Sequence, residues 1–274
     1  MNRARSKGWL GALPLLAFFA LVFGIPAIAL MAGAFTVQGR PTLANLSQSL
    51  QGGYLTAMIG SVKLSGMVAL VGAVLGTFLA YAVVTSRFAL LREAVLTASG
   101  VLANFGGVPL AFFWIATLGN SGVISGLVGL PTGSLYTFWG LAVVYLYFAI
   151  PLMVLAMAPA LDGLRPQWRE AAANNGATAW HYWRFVALPV LAPSMLGGVV
   201  LLFGSAFSAY ATANAMVGTV VPLVTLKIAS ALTGDVLIGY ENIALALSLD
   251  MVLVAGLVMA IYLPLQRRSS RWLH

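Results

Sequence analysis

The chain has 274 residues, 61% of them apolar and only 7% charged, with a formal net charge of +8 and no cysteine; its mean hydropathy is +0.97. A soluble domain carries about 25% charged residues, so a water-soluble globule is excluded, and the lack of cysteine excludes a disulfide framework, thiolate catalysis and Cys-ligated zinc. The basic excess would suit nucleic acid in a soluble protein, but no basic stripe with interleaved aromatics accompanies it, and no nucleic-acid partner is expected.

A membrane-crossing helix needs about 20 mostly apolar residues, and the charges are sparse enough for the gaps between them to mark such helices. Residues 9–35 hold no charge and read as the first span. The basic start followed by Ala27-Ile28-Ala29 resembles a cleavable leader, but the uncharged run is nearer a full span than a leader core, so the first helix is read as retained. The second span is 54–85, interrupted only by Lys63, and Arg87, Arg92 and Glu93 form a short loop after it. Residues 94–161 are again uncharged and too long for one helix. Glycines at 119, 122, 126, 129 and 133 with Pro131 divide them into spans 94–118 and 135–160. Residues 190–214 read as the fifth span and 242–265, with Asp250 inside, as the sixth. The expected fold class is all-α, a polytopic membrane protein of about six transmembrane helices.

Six spans put both termini on one side. Arg3, Arg5 and Lys7, Arg87 and Arg92, Arg165, Arg169 and Arg184, and Arg267, Arg268 and Arg271 place eleven basic residues on that side, against Arg40 and Lys227 on the other. The positive-inside rule then makes the termini cytoplasmic, and the +8 becomes a topology signal.

The loop 162–189, between the fourth and fifth spans, carries most of the local information. Pro166 suits a first helical position, where its missing N–H is not needed, and residues 168–173 are mostly good helix formers. Asn175-Gly176 predicts a left-handed C-cap. Thr178 predicts an N-cap for a second short helix through Trp180, Tyr182, Trp183 and Phe185, after which Leu188-Pro189 turns the chain into the fifth span. Glu170 is expected in the first turn of the first helix, where the helix dipole favours an anion. On physics alone an interfacial hairpin with its aromatics among lipid headgroups is an equal reading.

Glu170-Ala171-Ala172, three residues, Gly176, nine residues, Val186, one residue and Leu188-Pro189 resemble the EAA signature of permease subunits of bacterial binding-protein-dependent ATP-binding-cassette importers, with Val186 in place of the usual isoleucine. The resemblance extends over the whole chain, whose expected single permease domain, 1–274, carries this loop before its last two spans. It implies a bacterial cytoplasmic-membrane protein whose short helix, starting at Glu170, Ala171 and Ala172 with Gly176 and the Leu188-Pro189 pair, couples to an ATPase. Two ATPase subunits, a second permease copy or related chain, and an extracytoplasmic solute-binding protein are the implied partners, besides the lipid bilayer. The only lysines, Lys7, Lys63 and Lys227, sit in no G-x-x-x-x-G-K-[ST] cradle. No cofactor is therefore expected on this chain, and ATP with Mg belongs on the ATPases; the chain itself is not an enzyme.

For a substrate pathway, Asn104-Phe105-Gly106-Gly107-Val108-Pro109 would loosen the third span and free backbone groups, although close helix packing explains the glycines equally. Gly72 and Gly76 read as a small-residue packing contact in span two. The outer end of span five is polar, with Ser205, Ser208, Tyr210, Thr212 and Asn214, and the stretch to Asp235 resembles the polyamine, ferric iron and thiamine type of importer. Asp250, an acid inside a span, would suit a cationic solute such as a polyamine; the alternative is a bond to a neighbouring helix near the outer interface. Lys63 reads as snorkelling or pairing between subunits. Trp114, Trp139, Tyr145 and Tyr147 read as lipid-facing or belt aromatics.

Gly119-Asn120-Ser121-Gly122 matches a serine-nucleophile pattern, but the two histidines, His181 and His274, fall on the opposite face, so an intramembrane protease fails on topology. Two histidines and no cysteine support no metal site. A secondary transporter or channel not driven by ATP is the remaining alternative.

Overall fold

The computed structural model describes residues 8–37, 39–129, 131–233 and 241–270. Arg3, Arg5, Lys7, Asp235, Arg271 and His274, used above, lie outside the described residues. In chain order the elements are α1 (Gly8–Ala34), a short antiparallel pair β1 (Thr36–Val37) and β2 (Arg40–Pro41), α2 (Ala44–Ser49), α3 (Gly52–Val84), α4 (Ala89–Asn104), α5 (Gly107–Leu118), α6 (Val123–Val128), a 3-10 turn (Ser134–Tyr136), α7 (Phe138–Asp162), α8 (Pro166–Asn174), α9 (Ala179–Tyr182), a π-helical turn (Trp183–Ala187), α10 (Leu188–Ser208), α11 (Ala211–Met216), α12 (Val224–Leu232) and α13 (Glu241–Ser270).

Six stretches are helical, long and apolar enough to cross a membrane: Leu13–Ala34, Gly52–Val84, Gly107–Val128, Phe138–Asp162, Ala179–Ser208 and Asn242–Gln266. Large apolar side chains such as Ile28, Phe78 and Leu257 are exposed on them, which lipid accommodates and water would not. The all-α polytopic architecture is therefore present.

Two spans differ from the reading above. The third, expected over 94–118, is broken after Asn104: Gly107 adopts φ +73, a left-handed conformation that interrupts the helix, and Pro109 lacks the N–H that a helix interior needs but a helix start does not. The apolar crossing stretch begins only at Gly107, and the loop expected at Arg87–Glu93 is partly helical, because Arg92 and Glu93 lie inside α4. The fifth, expected over 190–214 after a turn at Leu188-Pro189, instead runs as one rod over Ala179–Ser208. Pro189 donates no N–H, and its ring crowds the carbonyl four residues back. The rod absorbs this as a π turn, in which the Leu188 N–H bonds to the Trp183 carbonyl five residues back. It then stops at Ser208, because Ala209 is extended at φ −68, ψ 111.

The chain packs as two units, Met1–Thr56 with Lys227–Leu253 and Ala57–Leu226 with Val254–His274. In the first, Ala34, Ala246 and Leu249 form a small core with Leu30 and Leu46 packed on it, and a side chain at Gly33 would overlap Leu245. The Thr36 carbonyl accepts from the Asn45 Nδ2 at 2.9 Å and from the Asn242 Nδ2 at 2.7 Å, so the groups freed at the end of α1 are paired by amides rather than left bare.

In the second unit, α3, α7 and α10 approach at backbone distance. A Cβ at Gly76 would lie 2.5 Å from the Met153 Cβ and 2.9 Å from the Ile150 carbonyl oxygen, and one at Gly198 would overlap the sulfur of the same Met153. Gly72 likewise abuts Ala149 and Leu202, so the small-residue reading of Gly72 and Gly76 as packing positions fits the geometry. Leu64, Val68, Leu141, Val144, Met157 and Leu191 fill this core. The Ser61 hydroxyl accepts from the Val224 N–H at 2.9 Å, and α7 is started by Thr137, whose hydroxyl accepts from the Gly140 N–H at 3.1 Å.

Candidate functional site

The 162–189 loop folds as local chemistry dictates. Pro166 opens α8, whose alanines favour a helix, and Gly176 at φ +74 closes it. The Gly176 N–H bonds to the Ala173 carbonyl at 2.9 Å and the Ala177 N–H to the Ala172 carbonyl at 3.0 Å, which together make the Schellman arrangement. Thr178 caps α9, its hydroxyl meeting the His181 N–H at 3.4 Å and the His181 Nδ1 at 2.7 Å.

Glu170 is not in the first turn. With Pro166 as first helical residue it falls in the second turn, so the dipole argument for it fails, and its carboxylate is exposed. Ala171 and Gly176 are exposed and Ala172 is half-buried; no residue of α8 is buried. Leu188 and Pro189 lie inside the α9–α10 rod, Leu188 exposed and Pro189 half-buried. Behind α8 opens a cavity of about 750 Å³, walled by Ala172 and Ala173, by Tyr81, Leu161 and Trp183, and by Arg169. The Tyr81 and Trp183 rings meet edge to face, 5.1 Å between centroids at 81°.

The two breaks form a second constellation. α4 ends at Asn104, whose Nδ2 donates back to the Gly100 carbonyl at 2.8 Å, and α10 ends at Ser208, whose hydroxyl donates back to the Gly204 carbonyl at 2.9 Å. The Thr212 hydroxyl, at the start of α11, donates to the Gly107 carbonyl at 3.0 Å. The Tyr145 hydroxyl donates to the Ala209 carbonyl at 3.0 Å. The Thr212–Gly107 bond joins the two breaks, and Asn104, Phe105, Ser208, Tyr210 and Asn214 are all exposed around them. Asp250 belongs to the first unit, where it is 7% exposed and faces the Ser49 side chain. Lys63 is exposed on α3.

Sequence reasoning missed Tyr145. It is fully buried rather than lipid-facing, and the usable signal was a phenol deep in a span, whose O–H needs a partner. Tyr147 also differs, with Phe105, Phe113 and Trp114 placed around it at centroid distances of 6.5, 6.4 and 6.2 Å. Trp139 is exposed, as a lipid-facing ring would be.

No protein-family model matches the chain. It is 41% identical over 68 residues to Sulfate transport system permease protein CysT of Escherichia coli (strain K12), covering 25% of this chain and 24% of that protein. Against Thiamine transport system permease protein ThiP of the same organism it is 30% identical over 207 residues, 70% of this chain and 36% of the relative. Against Sulfate transport system permease protein CysW it is 26% identical over 204 residues, 73% and 68%. The match thus spans about a quarter of the length of CysT and about a third of ThiP. A bacterial ABC transporter involved in the import of the acidic polysaccharide alginate shares the fold, with a TM-score of 0.75 at 20% identity over 96% of both chains. A bacterial alginate ABC transporter in complex with its alginate pentasaccharide-bound periplasmic protein does so with a TM-score of 0.75 at 18% identity over 96% of both chains. The chain is a multi-pass protein of the bacterial inner membrane, homologous to the permease proteins of bacterial transport systems.

Proposed function

We propose that this chain is the transmembrane subunit of an ABC importer, forming half of a solute pathway and coupling ATP hydrolysis by partner subunits to uptake. The carrying observation is α8: an exposed helix with no buried residue, closed by a Schellman turn at Gly176 and joined through a π turn to a membrane-length rod. An isolated helix of nine residues is marginal by itself, so its exposed face suits a docking partner. In this reading the 162–189 loop and both termini face the cytoplasm, and 1–274 works as one permease domain. Glu170 and Ala171 meet the ATPase, Ala172 backs the helix, Gly176 closes it, and Leu188 and Pro189 join it to α10.

Closure of two ATPases carrying ATP and Mg pushes α8, and the rod carries the displacement to the break at Ser208. A second permease completes the pathway, and an extracytoplasmic binding protein delivers the solute. Asn104, Phe105, Ser208, Tyr210 and Asn214 border the path at the paired breaks, where unwound backbone supplies polar groups in an apolar surround. The named relatives belong to sulfate and thiamine systems, whose solutes are an anion and a cation, so they do not set the sign of the cargo's charge, and a polyamine cargo rests on Asp250 alone.

Mild solubilisation of the tagged chain from its native host tests the proposal: an ATPase subunit is expected to co-purify, and its absence sinks the ABC reading. In Glu170→Lys with Gly176→Pro the ATPase is expected to be lost from the preparation; normal retention would remove α8 from the coupling role.

A further inference from the structure

We propose that the Arg92–Asp162 ion pair is a strut that carries movement of the α8 loop into α4, and so to the break at Asn104–Gly107; the proposal rests on the ATPase-docking reading of α8. The Arg92 Nη2 and Asp162 Oδ2 are 2.6 Å apart, in residues 70 positions apart in sequence, and this is the one ion pair among the described residues.

Asp162 is the last residue of α7, and α8 begins four residues later at Pro166. Arg92 stands near the start of α4. The pair therefore joins the foot of the loop to the helix that ends at the third-span break, and α4 packs along α7 above it. α8 has no buried residue and a cavity behind it, so it is held at its ends rather than by its face. One end is Asp162, tied to Arg92; the other is Trp183, whose ring packs on Tyr81 of α3. Asp162, Trp183 and Tyr81 all line the cavity, which leaves α8 room to swing between two tethered ends. A push at α8 thus reaches α4 through Asp162 and Arg92, and α4, as a rigid helix, delivers it to Asn104.

Both partners are partly exposed, at 37% and 42%. Such pairs add little to folding, so a fold-stabilising role explains the contact poorly. Exposure also means that reversed charges meet water rather than a dry core, which makes the exchange of the two residues a fair experiment.

Because the chain has no cysteine, a label on one introduced cysteine reports a single position. The test uses the full chain with its co-purified ATPase subunits in lipid nanodiscs, labelled in separate preparations at Ala173→Cys on α8 or Val101→Cys on α4, with ATP plus vanadate as the probe. In the unaltered pair both labels respond to trapping. In Arg92→Asp, Asp162→Arg and the milder Asp162→Asn, the α8 label is expected to respond as before, while the α4 response falls by about fivefold or more, the scale of a modest coupling energy. Arg92→Asp combined with Asp162→Arg is expected to restore it, a recovery that general structural damage would not give. An undiminished α4 response in the single variants, or no recovery in the exchanged pair, overturns the strut while leaving the docking reading intact. A silent α8 label in the unaltered complex overturns the docking reading, and the strut with it.

Discussion

The Tyr145 hydroxyl donates a 3.0 Å hydrogen bond to the Ala209 carbonyl oxygen, joining the first third of α7 to the point where the fifth span unwinds. Ala209 is extended and half-buried, so the phenol supplies a partner for a carbonyl at the break.

Tyr145→Phe removes that donor while keeping the ring; the phenol is fully buried and the Ala209 acceptor half-buried. A loss of about 0.5–1.5 kcal/mol is expected, the net contribution of one hydrogen bond. Near-UV circular dichroism of the detergent-solubilised protein should show melting several degrees lower. An unchanged midpoint would mean that the break holds without the bond.

Glycines at two positions of α3 should respond with opposite sign. Gly76→Val drives a side chain into Met153 and the Ile150 carbonyl, at a cost of about 1–3 kcal/mol or more from overpacking. Gly66→Ala meets nothing within 4 Å and gains about 0.5–1 kcal/mol from reduced backbone freedom in a helix. Monodispersity after a heating series, read by size-exclusion chromatography, separates the two.

Gly176→Ala places a Cβ on a residue at φ +74, costing about 1–2 kcal/mol in the left-handed region. The Schellman bonds of Gly176 and Ala177 should open more often, seen as faster amide hydrogen exchange at both, with no change in the spans. Equal exchange in variant and parent would show that the turn does not depend on glycine.

Pro189→Ala restores an N–H that can bond to the Phe185 carbonyl, removing the reason for the π turn. Loss of one residue from the wide turn rotates α9 relative to α10 by about 100°, which takes Trp183 away from Tyr81. In a Tyr81→Cys, Trp183→Cys background a short bifunctional thiol reagent should cross-link the parent and fail in the Pro189→Ala variant.

Features set by neighbours in sequence are legible without coordinates. Pro166, Gly176 and Thr178 act through their own backbone torsions and N–H inventory, and each sits where those properties put it. The six apolar stretches are equally legible, because lipid imposes a length and forbids charge. Pro189 is not, because a proline either ends a helix or is absorbed by it, and the choice depends on whether a wider turn packs. Glu170 lies one turn later than its motif suggests, because Pro166 sets the helix start and the cap, rather than the motif, is the point to count from. The Tyr145–Ala209 and Arg92–Asp162 pairs span 64 and 70 residues, and only helix packing reveals them.

Met153 projects from α7 into a notch at Gly76 on one side and a notch at Gly198 on the other. A side chain seated in two notches keys its helix against both neighbours, so sliding α3 or α10 along α7 drives the Met153 side chain against the helix backbone at Gly76 or Gly198. Shear of this trio meets that side chain, whereas a tilt about the Met153 level leaves it in both notches. Displacement at the α8 end would then be reversed in direction beyond that level, as across the fulcrum of a lever.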